Sequence, residues 1–240
     1  MNGPILNALG IVLGVCLALI VNKPLSAKYQ SALKVGLGAF TVFFGLRLTI
    51  ISFYGSLSSA AKLFGIVMLS MILGKIVGKL LHLQKMSNQL GRFASGKIVI
   101  AEEIKDKFNV GFLVCTSLFC AAPLAILGAV DEGLRGISPF LIVKALMDGA
   151  AAMAFVSLFR WGVLLAALPV LALEETIARG GMLLEPWLRN QPFPLLESIN
   201  ATNGLLVFCV AMVILQLKKI EITDYLPSLF IAPVLTRLLW

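Results

Sequence analysis

The pattern of apolar residues along the chain predicts a membrane protein built from helices. Crossing a bilayer takes roughly 20 apolar residues of helix. Eight windows of that kind follow one another, at residues 4–21, 33–53, 61–81, 110–130, 139–159, 161–177, 199–217 and 225–240. The last is short and contains Pro227 and Pro233, so crossing and re-entering the membrane both stay open for it. The sequence therefore predicts an all-α, polytopic transmembrane helix bundle of about 7–8 spans.

Composition supports the same class. Hydrophobic residues make up 59% of the 240-residue chain and charged residues only 13%, whereas soluble domains average about 45–50% and about 25%. Because the spans and their short connections take up the whole length, residues 1–240 are predicted to form a single membrane domain. The start, Met1-Asn2-Gly3-Pro4, lacks the basic region of a secretory signal, so the first span is expected to be retained.

Lysine and arginine residues predict the orientation, because cytoplasmic connections carry an excess of them. Of the 20 basic residues, 13 lie on or beside the connections after the first, third, fifth and seventh spans: Lys23, Lys28, Lys34, Lys75, Lys79, Lys85, Arg92, Lys97, Lys105, Lys107, Arg160, Lys218 and Lys219. The connections after the fourth and sixth spans instead carry acidic residues: Asp131, Glu132, Glu174, Glu175, Glu185 and Glu197. The N-terminus is therefore predicted to lie outside. This basic face also accounts for the net charge of +8, and no nucleic-acid partner is expected.

The segment 82–109 is the long polar stretch of the sequence. It places Leu83, Met86, Leu90 and Phe93 on one helical face, with lysine and arginine residues around them. This pattern predicts a cytoplasmic interfacial helix that lies against anionic headgroups. A solvated connector would carry the same charges, and both interpretations stay open.

Two parts of the chain resemble each other, residues 2–81 and residues 161–240. Matching positions occur in the same order: Gly3 with Gly162, Leu9 with Leu168, Gly36 with Gly204, and Lys75 with Arg237. Corresponding spans are five apart, an odd number, so the second unit would be inverted relative to the first, as in many secondary transporters. Ordinary membrane composition would produce such matches too.

Two charged residues fall inside the apolar window 139–159. Lys144 and Asp148 are four residues apart, so on a helix they share a face. A charge at the bilayer centre costs about 3 kcal/mol on insertion scales, and such residues face protein or water. The spacing fits a local ion pair, whereas the depth of Asp148 fits a site for a proton or cation. Arg47 is a further possible partner for Asp148, although snorkelling to the surface suits it better.

Other polar or helix-breaking residues lie within the predicted spans. The hypothesis of a substrate or ion site adds the following to Asp148 and Lys144: Asn7, Thr116, Ser117, Pro123, Asn200 and Asn203. Pro123 cannot donate a hydrogen bond to the carbonyl of Phe119, which leaves that acceptor free. The amide groups suit either ligand binding or hydrogen bonds between helices.

Signatures of an enzyme are missing from the sequence. His82 is the sole histidine, and none of the usual hydrolase, metalloprotease or nucleotide-binding motifs occurs. The four cysteines fall inside apolar windows without metal-ligand spacing and are expected to pack. The chain is therefore predicted to be neither an enzyme nor a protein with a metal or other cofactor.

The stretch Cys120-Ala-Ala-Pro-Leu-Ala-Ile-Leu-Gly-Ala-Val-Asp-Glu-Gly-Leu134, followed by Lys144-Ala-Leu-Met-Asp-Gly149 and Ala167-Leu-Pro-Val-Leu171, resembles a known family. It is similar to the YqgA/YdfK-like family of bacterial inner-membrane proteins, and the resemblance covers nearly the whole chain. It implies a polytopic plasma-membrane protein, sometimes described as a transporter, without an established substrate. This chain departs from the family pattern at Glu174-Glu175, where Gln-Gly is usual, and at Asp224, where Asn is frequent. The resemblance therefore supports no polar role at these positions.

Two hypotheses of function follow. The first is a secondary transporter or channel in the bilayer for a small polar solute or ion, with Asp148 binding a proton or cation. The second is a membrane scaffold or sensor, without transport, in which the ion pair only holds helices together. Homo-oligomers are compatible with both. The groups within about 4–6 Å of Asp148 distinguish them, because charges shift one another's ionisation over that range.

Overall fold

The computed structural model describes residues 2–21, 26–53, 55–99, 106–136 and 138–240. In these ranges every regular element is helical: α1 (Gly3–Val21), α2 (Ala27–Ser52), α3 (Leu57–Leu80), α4 (Leu83–Val99), α5 (Lys107–Ala121), α6 (Pro123–Arg135), α7 (Pro139–Phe159), α8 (Gly162–Leu165), α9 (Ala167–Arg189), α10 (Leu195–Ile214), a 3₁₀ turn (Ile222–Tyr225) and α11 (Ser228–Leu239). Lys23, Lys105 and the part 100–105 of the polar segment lie outside the described residues. The predicted all-α class is confirmed.

Six stretches of the described chain are long and apolar enough to cross a membrane, namely α1, α2, α3, α7, α10 and the stretch 222–239 that ends in α11. The bent pair of α5 and α6 makes a seventh. This number agrees approximately with the predicted one. The window 161–177 is divided between α8 and α9 and is not among them, because Glu174, Glu175 and Arg179 interrupt the apolar part of α9.

The predicted span 110–130 is two helices rather than one. α5 ends at Ala121, Ala122 is extended, and Pro123 is the first residue of α6. The two helix axes are bent by 58°. Proline fits the first turn of a helix, where its missing N–H leaves no hydrogen bond unmade. Pro123 therefore starts a new helix at the middle of the predicted span, instead of kinking a continuous one.

Glycines set the closest approaches between helices. On α1, Gly10 lies against the backbone of Ala145 and Gly14 against that of Gly149, so α1 and α7 run parallel. A side chain at either glycine would collide with the facing carbonyl. Small residues of this kind are what membrane helices use to pack closely, since no hydrophobic effect drives them together. The contact brings Asn7, one turn before Gly10, close to α7.

Close contacts at glycines also join two of the helix pairs that correspond to each other in the predicted repeat. Gly45 of α2 meets Gly204 of α10, and Gly38 meets Leu215, so these helices run antiparallel. Gly74 of α3 meets Ser228 at the start of α11, while Lys62 reaches the carbonyl of Trp240 after its end. That pair is antiparallel too, which is the orientation that an inverted repeat requires. The repeat itself stays a prediction.

We expect Gly14→Ala to destabilise the protein although alanine is the better helix former. The added methyl group would press on the carbonyl of Gly149, and overpacking of this kind costs about 1–3 kcal/mol. Heating the purified protein in detergent and following the folded fraction by size-exclusion chromatography measures the effect. Gly65→Ala on α3 is the control, because a methyl group there meets no neighbouring atom. Equal unfolding midpoints for the two variants would contradict the close α1–α7 contact.

Candidate functional site

The ion pair that the sequence spacing predicts is present on α7. The Nζ atom of Lys144 contacts Oδ2 of Asp148 one helical turn further on. The two residues are 1% and 7% exposed, respectively. α7 begins at Pro139, after Ser138. Because residues four apart lie on one face of a helix, Lys144 and Asp148 point toward the same neighbours. Both charges therefore lie inside the protein rather than against lipid.

Two residues from distant parts of the chain complete the site. Asn7 of α1 donates through Nδ2 to Oδ2 of Asp148 at 3.2 Å and to Oε1 of Glu174 at 2.8 Å. Glu174 comes from α9, and its Oε1 lies 3.7 Å from Nζ of Lys144. Both Asn7 and Glu174 are fully buried. Asn7, Lys144, Asp148 and Glu174 form what we call the charge cluster, and three helices meet at it.

The charge cluster holds two carboxyl groups and one ammonium group. With all three ionised its net charge is −1, and one proton or one monovalent cation would neutralise it. Two of its oxygens, Oδ1 of Asn7 and Oε2 of Glu174, accept no hydrogen bond from any described residue. Buried polar atoms in this state are costly. The arrangement is therefore chemically able to take up a small positive charge.

Glu174 is not among the site residues that the sequence predicts. It falls near the end of the predicted window 161–177, beside Glu175, and the two were assigned to an outer connection. α9 instead continues to Arg189 and buries Val170, Glu174 and Ala178 on one face. That four-residue spacing is the signal that could have placed Glu174 inside. The departure from the family pattern at this position gave no support for a polar role, yet the side chain of Glu174 bonds Asn7.

Asp131 and Glu132 were likewise assigned to a connection, and both are buried at the end of α6. The carboxylate of Glu132 accepts from the backbone N–H groups of Asn2 at 2.9 Å, Gly3 at 3.2 Å and Ser138 at 2.7 Å. It thus satisfies free N–H groups at the beginnings of both α1 and α7, where a negative charge is favourable. Glu132 fixes these two helix ends side by side, and with them the register of the charge cluster.

The other predicted site residues lie elsewhere. Asn203 of α10 donates to the carbonyl of Leu127 at 3.1 Å, which links α10 to α6. Asn200 is half-buried one turn away. Thr116 is half-buried on α5, and its hydroxyl has no partner among the described residues. No hydrogen bond or ion pair in the described chain joins these three to the charge cluster. The Arg47 side chain is exposed on α2.

Ser117 and Pro123 line an open groove of about 600 Å³ between α4 and the break of α5 and α6. Ser87, Asn88 and Arg92 of α4 line its opposite wall. These two predicted residues therefore belong to a polar groove at the helix break and not to the charge cluster.

Residues 2–237, nearly the whole chain, match the family described as protein of unknown function (DUF554). The chain belongs to the DUF554 family. The resemblance predicted from the sequence is thereby confirmed. The chain is 26% identical to the uncharacterized membrane protein YdfK of Bacillus subtilis (strain 168), over 98% of this chain and 95% of YdfK. It is 25% identical to the uncharacterized protein YqgA of Escherichia coli (strain K12), over 96% of this chain and 94% of YqgA. No solved structure matches.

Asp224, the other departure from the family pattern, also has a polar role in this DUF554 protein. It is buried in the 3₁₀ turn before α11, and its Oδ1 accepts from the backbone N–H of Gln84 at 2.7 Å. Gln84 lies in the first turn of α4, and its side chain accepts from the N–H of Thr223 at 3.1 Å. Asp224 thus caps α4, a role for which the family resemblance gave no support.

In the described part of this DUF554 protein, no group of three or more His, Cys, Asp or Glu side chains is placed to hold a metal ion. The charge cluster has two carboxyl groups, and the ammonium group of Lys144 contacts Asp148 and lies 3.7 Å from Oε1 of Glu174.

We expect Lys144→Met to lower the free energy of unfolding by about 3–5 kcal/mol, because it leaves two buried carboxyl groups without their shared cation. The measurement is heat unfolding of the purified protein. Arg179→Met is the matched control, since Arg179 pairs with Glu175 at the same spacing but is exposed; that change should stay within about 1 kcal/mol. A similar small loss in both variants would contradict a buried, shared charge.

Proposed function

We propose that this DUF554 protein is a secondary transporter or channel for a small polar solute or ion in the bacterial inner membrane, and not an enzyme. In this proposal the charge cluster binds the proton or cation that drives the movement. The observation that carries the proposal is the position of Lys144, Asp148 and Glu174 in the protein interior, at the meeting point of three helices.

Ionisable groups within a membrane protein are costly, and they occur mainly where charge is moved or bound. In this cluster an uptake of one positive charge changes the net charge from −1 to zero. Such a change alters the energy of the contacts between α1, α7 and α9, which is what a coupled conformational change needs. A cluster that binds and releases a proton or cation can therefore couple that event to a movement of these helices.

The helix break supports a solute path beside the cluster. A second cavity, of about 410 Å³, is lined by Ser87 and Pro123, as is the groove described above. It is also lined by Met147, which precedes Asp148 in α7. Broken helices of transporters present free backbone groups at such positions. We propose that a solute enters along α4 and reaches the break between α5 and α6.

A scaffold without transport is the second candidate. The observation in its favour is that the charged groups of the cluster all have partners, and that Asn7 donates a hydrogen bond to each of the two carboxyl groups. A tether of this kind would hold α1, α7 and α9 together without binding anything. It needs no exchange of protons with water.

Purified protein in liposomes that contain a pH-sensitive dye tests the proposal. With a potassium diffusion potential as the driving force, we expect an inward proton current through the wild-type protein. Asp148→Asn and Glu174→Gln should each reduce it by about tenfold or more, because each removes a carboxyl group on whose charge the uptake and release of the proton depend.

Glu185→Gln is the control for these two variants. It also removes a carboxyl group from α9, but one that pairs with Arg189 near the protein surface, and its current should equal that of the wild type. Equal currents in all four proteins would remove the charge cluster from the mechanism. If sodium, lithium or potassium gradients as well as proton gradients drive no flux, the scaffold is the better account.

We also propose that the N-terminus lies outside. In a chain whose four cysteines are replaced by alanine, a cysteine at Asn190 should react with a membrane-impermeant maleimide on intact spheroplasts. A cysteine at Lys219 should react only after the membrane is opened. Because α10 runs antiparallel to α2, the start of α10 beside Asn190 lies on the same side as the N-terminus, and Lys219 lies on the other side. Both positions are exposed, so accessibility within the protein does not differ between them. The reverse pattern would overturn the orientation.

A further inference from the structure

The two carboxyl groups of the charge cluster are not equivalent. Asp148 shares its Oδ2 between the ammonium group of Lys144, in direct contact, and the amide of Asn7. Glu174 lies further from that ammonium group, with Oε1 at 3.7 Å from Nζ. Asp148 therefore has the stronger stabilisation of its negative charge, because opposite charges and donated hydrogen bonds both favour the ionised form.

The two fully buried oxygens of the charge cluster that lack a donor belong to a single pair of side chains. Asn7 donates through Nδ2 to Oε1 of Glu174 at 2.8 Å. The other oxygen of each group, Oδ1 of Asn7 and Oε2 of Glu174, accepts no hydrogen bond from a described residue. Both atoms are acceptors, so they cannot bond each other as long as Glu174 is ionised.

One proton on Glu174 resolves this conflict. A carboxylic acid and a primary amide can face each other through two hydrogen bonds, N–H to carbonyl and O–H to carbonyl. The first of these is present between Asn7 and Glu174. A proton on Oε2 would supply the second, from Oε2 to Oδ1 of Asn7. The same proton brings the net charge of the cluster from −1 to zero.

We propose that Glu174, and not Asp148, carries the exchangeable proton of the charge cluster, on Oε2 and donated to Asn7. This inference rests on the proposed function in one respect, that the proton is the one exchanged during transport. On uptake, a proton from water forms the O–H bond at Oε2. On release that bond breaks, the proton returns to water, and Glu174 is left as a carboxylate. Asp148 stays ionised throughout as the counter-ion of Lys144.

Charged and titratable groups on the surrounding helices complete the environment of Glu174. α7 contributes Lys144 and Asp148, and α5 contributes Cys115 and Cys120. α1 contributes the neutral Asn7, and Cys16 lies further along α1 and is exposed. On α6, Gly133 packs against Ala178, which lies one turn beyond Glu174 on α9. The charged residues beside Gly133 on α6 are Asp131, Glu132 and Arg135. Glu197 is at the first turn of α10, and on α9 Glu175 pairs with Arg179. Lys144 is therefore the cation that faces Glu174 among the described residues.

Infrared spectroscopy of the protein in liposomes tests the assignment, through the carbonyl stretch of a protonated carboxylic acid. The protein is made by cell-free synthesis with either glutamate or aspartate labelled with ¹³C at the side-chain carboxyl group. Near neutral pH we expect a carboxylic-acid band that is lost in Glu174→Gln. In the wild-type protein this band should shift with labelled glutamate and stay in place with labelled aspartate.

Stability gives a second, independent measurement. Gln has the shape of protonated Glu, and its amide N–H can donate to Oδ1 of Asn7. Glu174→Gln should therefore unfold within 2 °C of the wild type, whereas Asp148→Asn, which removes the counter-ion of Lys144, should unfold at a clearly lower temperature. Glu185→Gln serves again as the control and should leave both the band and the midpoint unchanged.

The proposal is overturned if the band shifts with labelled aspartate, if Glu174→Gln removes no band, or if Asp148→Asn is the more stable of the two variants. These outcomes are separate from those of the transport assay. A protonated Glu174 in a protein that shows no flux would leave the assignment intact and defeat the proposed function. Flux without a protonated Glu174 would overturn the assignment and leave the proposed function intact.

Discussion

The sharing of one buried ammonium group between two carboxyl groups is the interaction on which the rest of this structure depends. Lys144 cannot be buried alone in a membrane protein, because an unpaired charge there costs several kcal/mol. Asp148 supplies one partner on the same helix, while Glu174 arrives from α9. α7 and α9 must therefore meet at one depth for the charges to be satisfied, and α1 joins them there through Asn7.

Packing and capping place these groups in register. The close contacts of Gly10 with Ala145 and of Gly14 with Gly149 hold α1 parallel to α7. Glu132 binds the beginnings of both helices through three backbone N–H groups. With the beginnings of both helices and the middle of their contact fixed, Asn7 comes within hydrogen-bond distance of Asp148. The polar site is thus a consequence of a glycine-lined helix contact.

The sequence predicted those features that depend on a single helix. Apolar windows located most of the spans, and the spacing of Lys144 and Asp148 predicted their pair. Asn7 was among the predicted residues, but nothing in one sequence could show that α1 reaches α7 and α9. Glu174 was misplaced because its neighbour Glu175 made the region resemble a connection, although the pattern of buried positions on α9 marks Glu174 as interior. From the sequence, Pro123 indicated only that the carbonyl of Phe119 is left free, since a proline within a span is compatible with both a kinked and a broken helix.

With both carboxyl groups ionised, the cluster carries one surplus negative charge, which a purely structural tether does not need. A tether works best when its charges balance, and a hydrophobic contact of similar volume is often at least as stable as a buried ion pair. A single Lys–Asp pair on α7 would have balanced itself, and Glu174 adds a second carboxyl group at the cost of that balance. An excess of one negative charge is a poor way to hold helices together. It is, however, what a site needs if it must bind a positive charge and release it again.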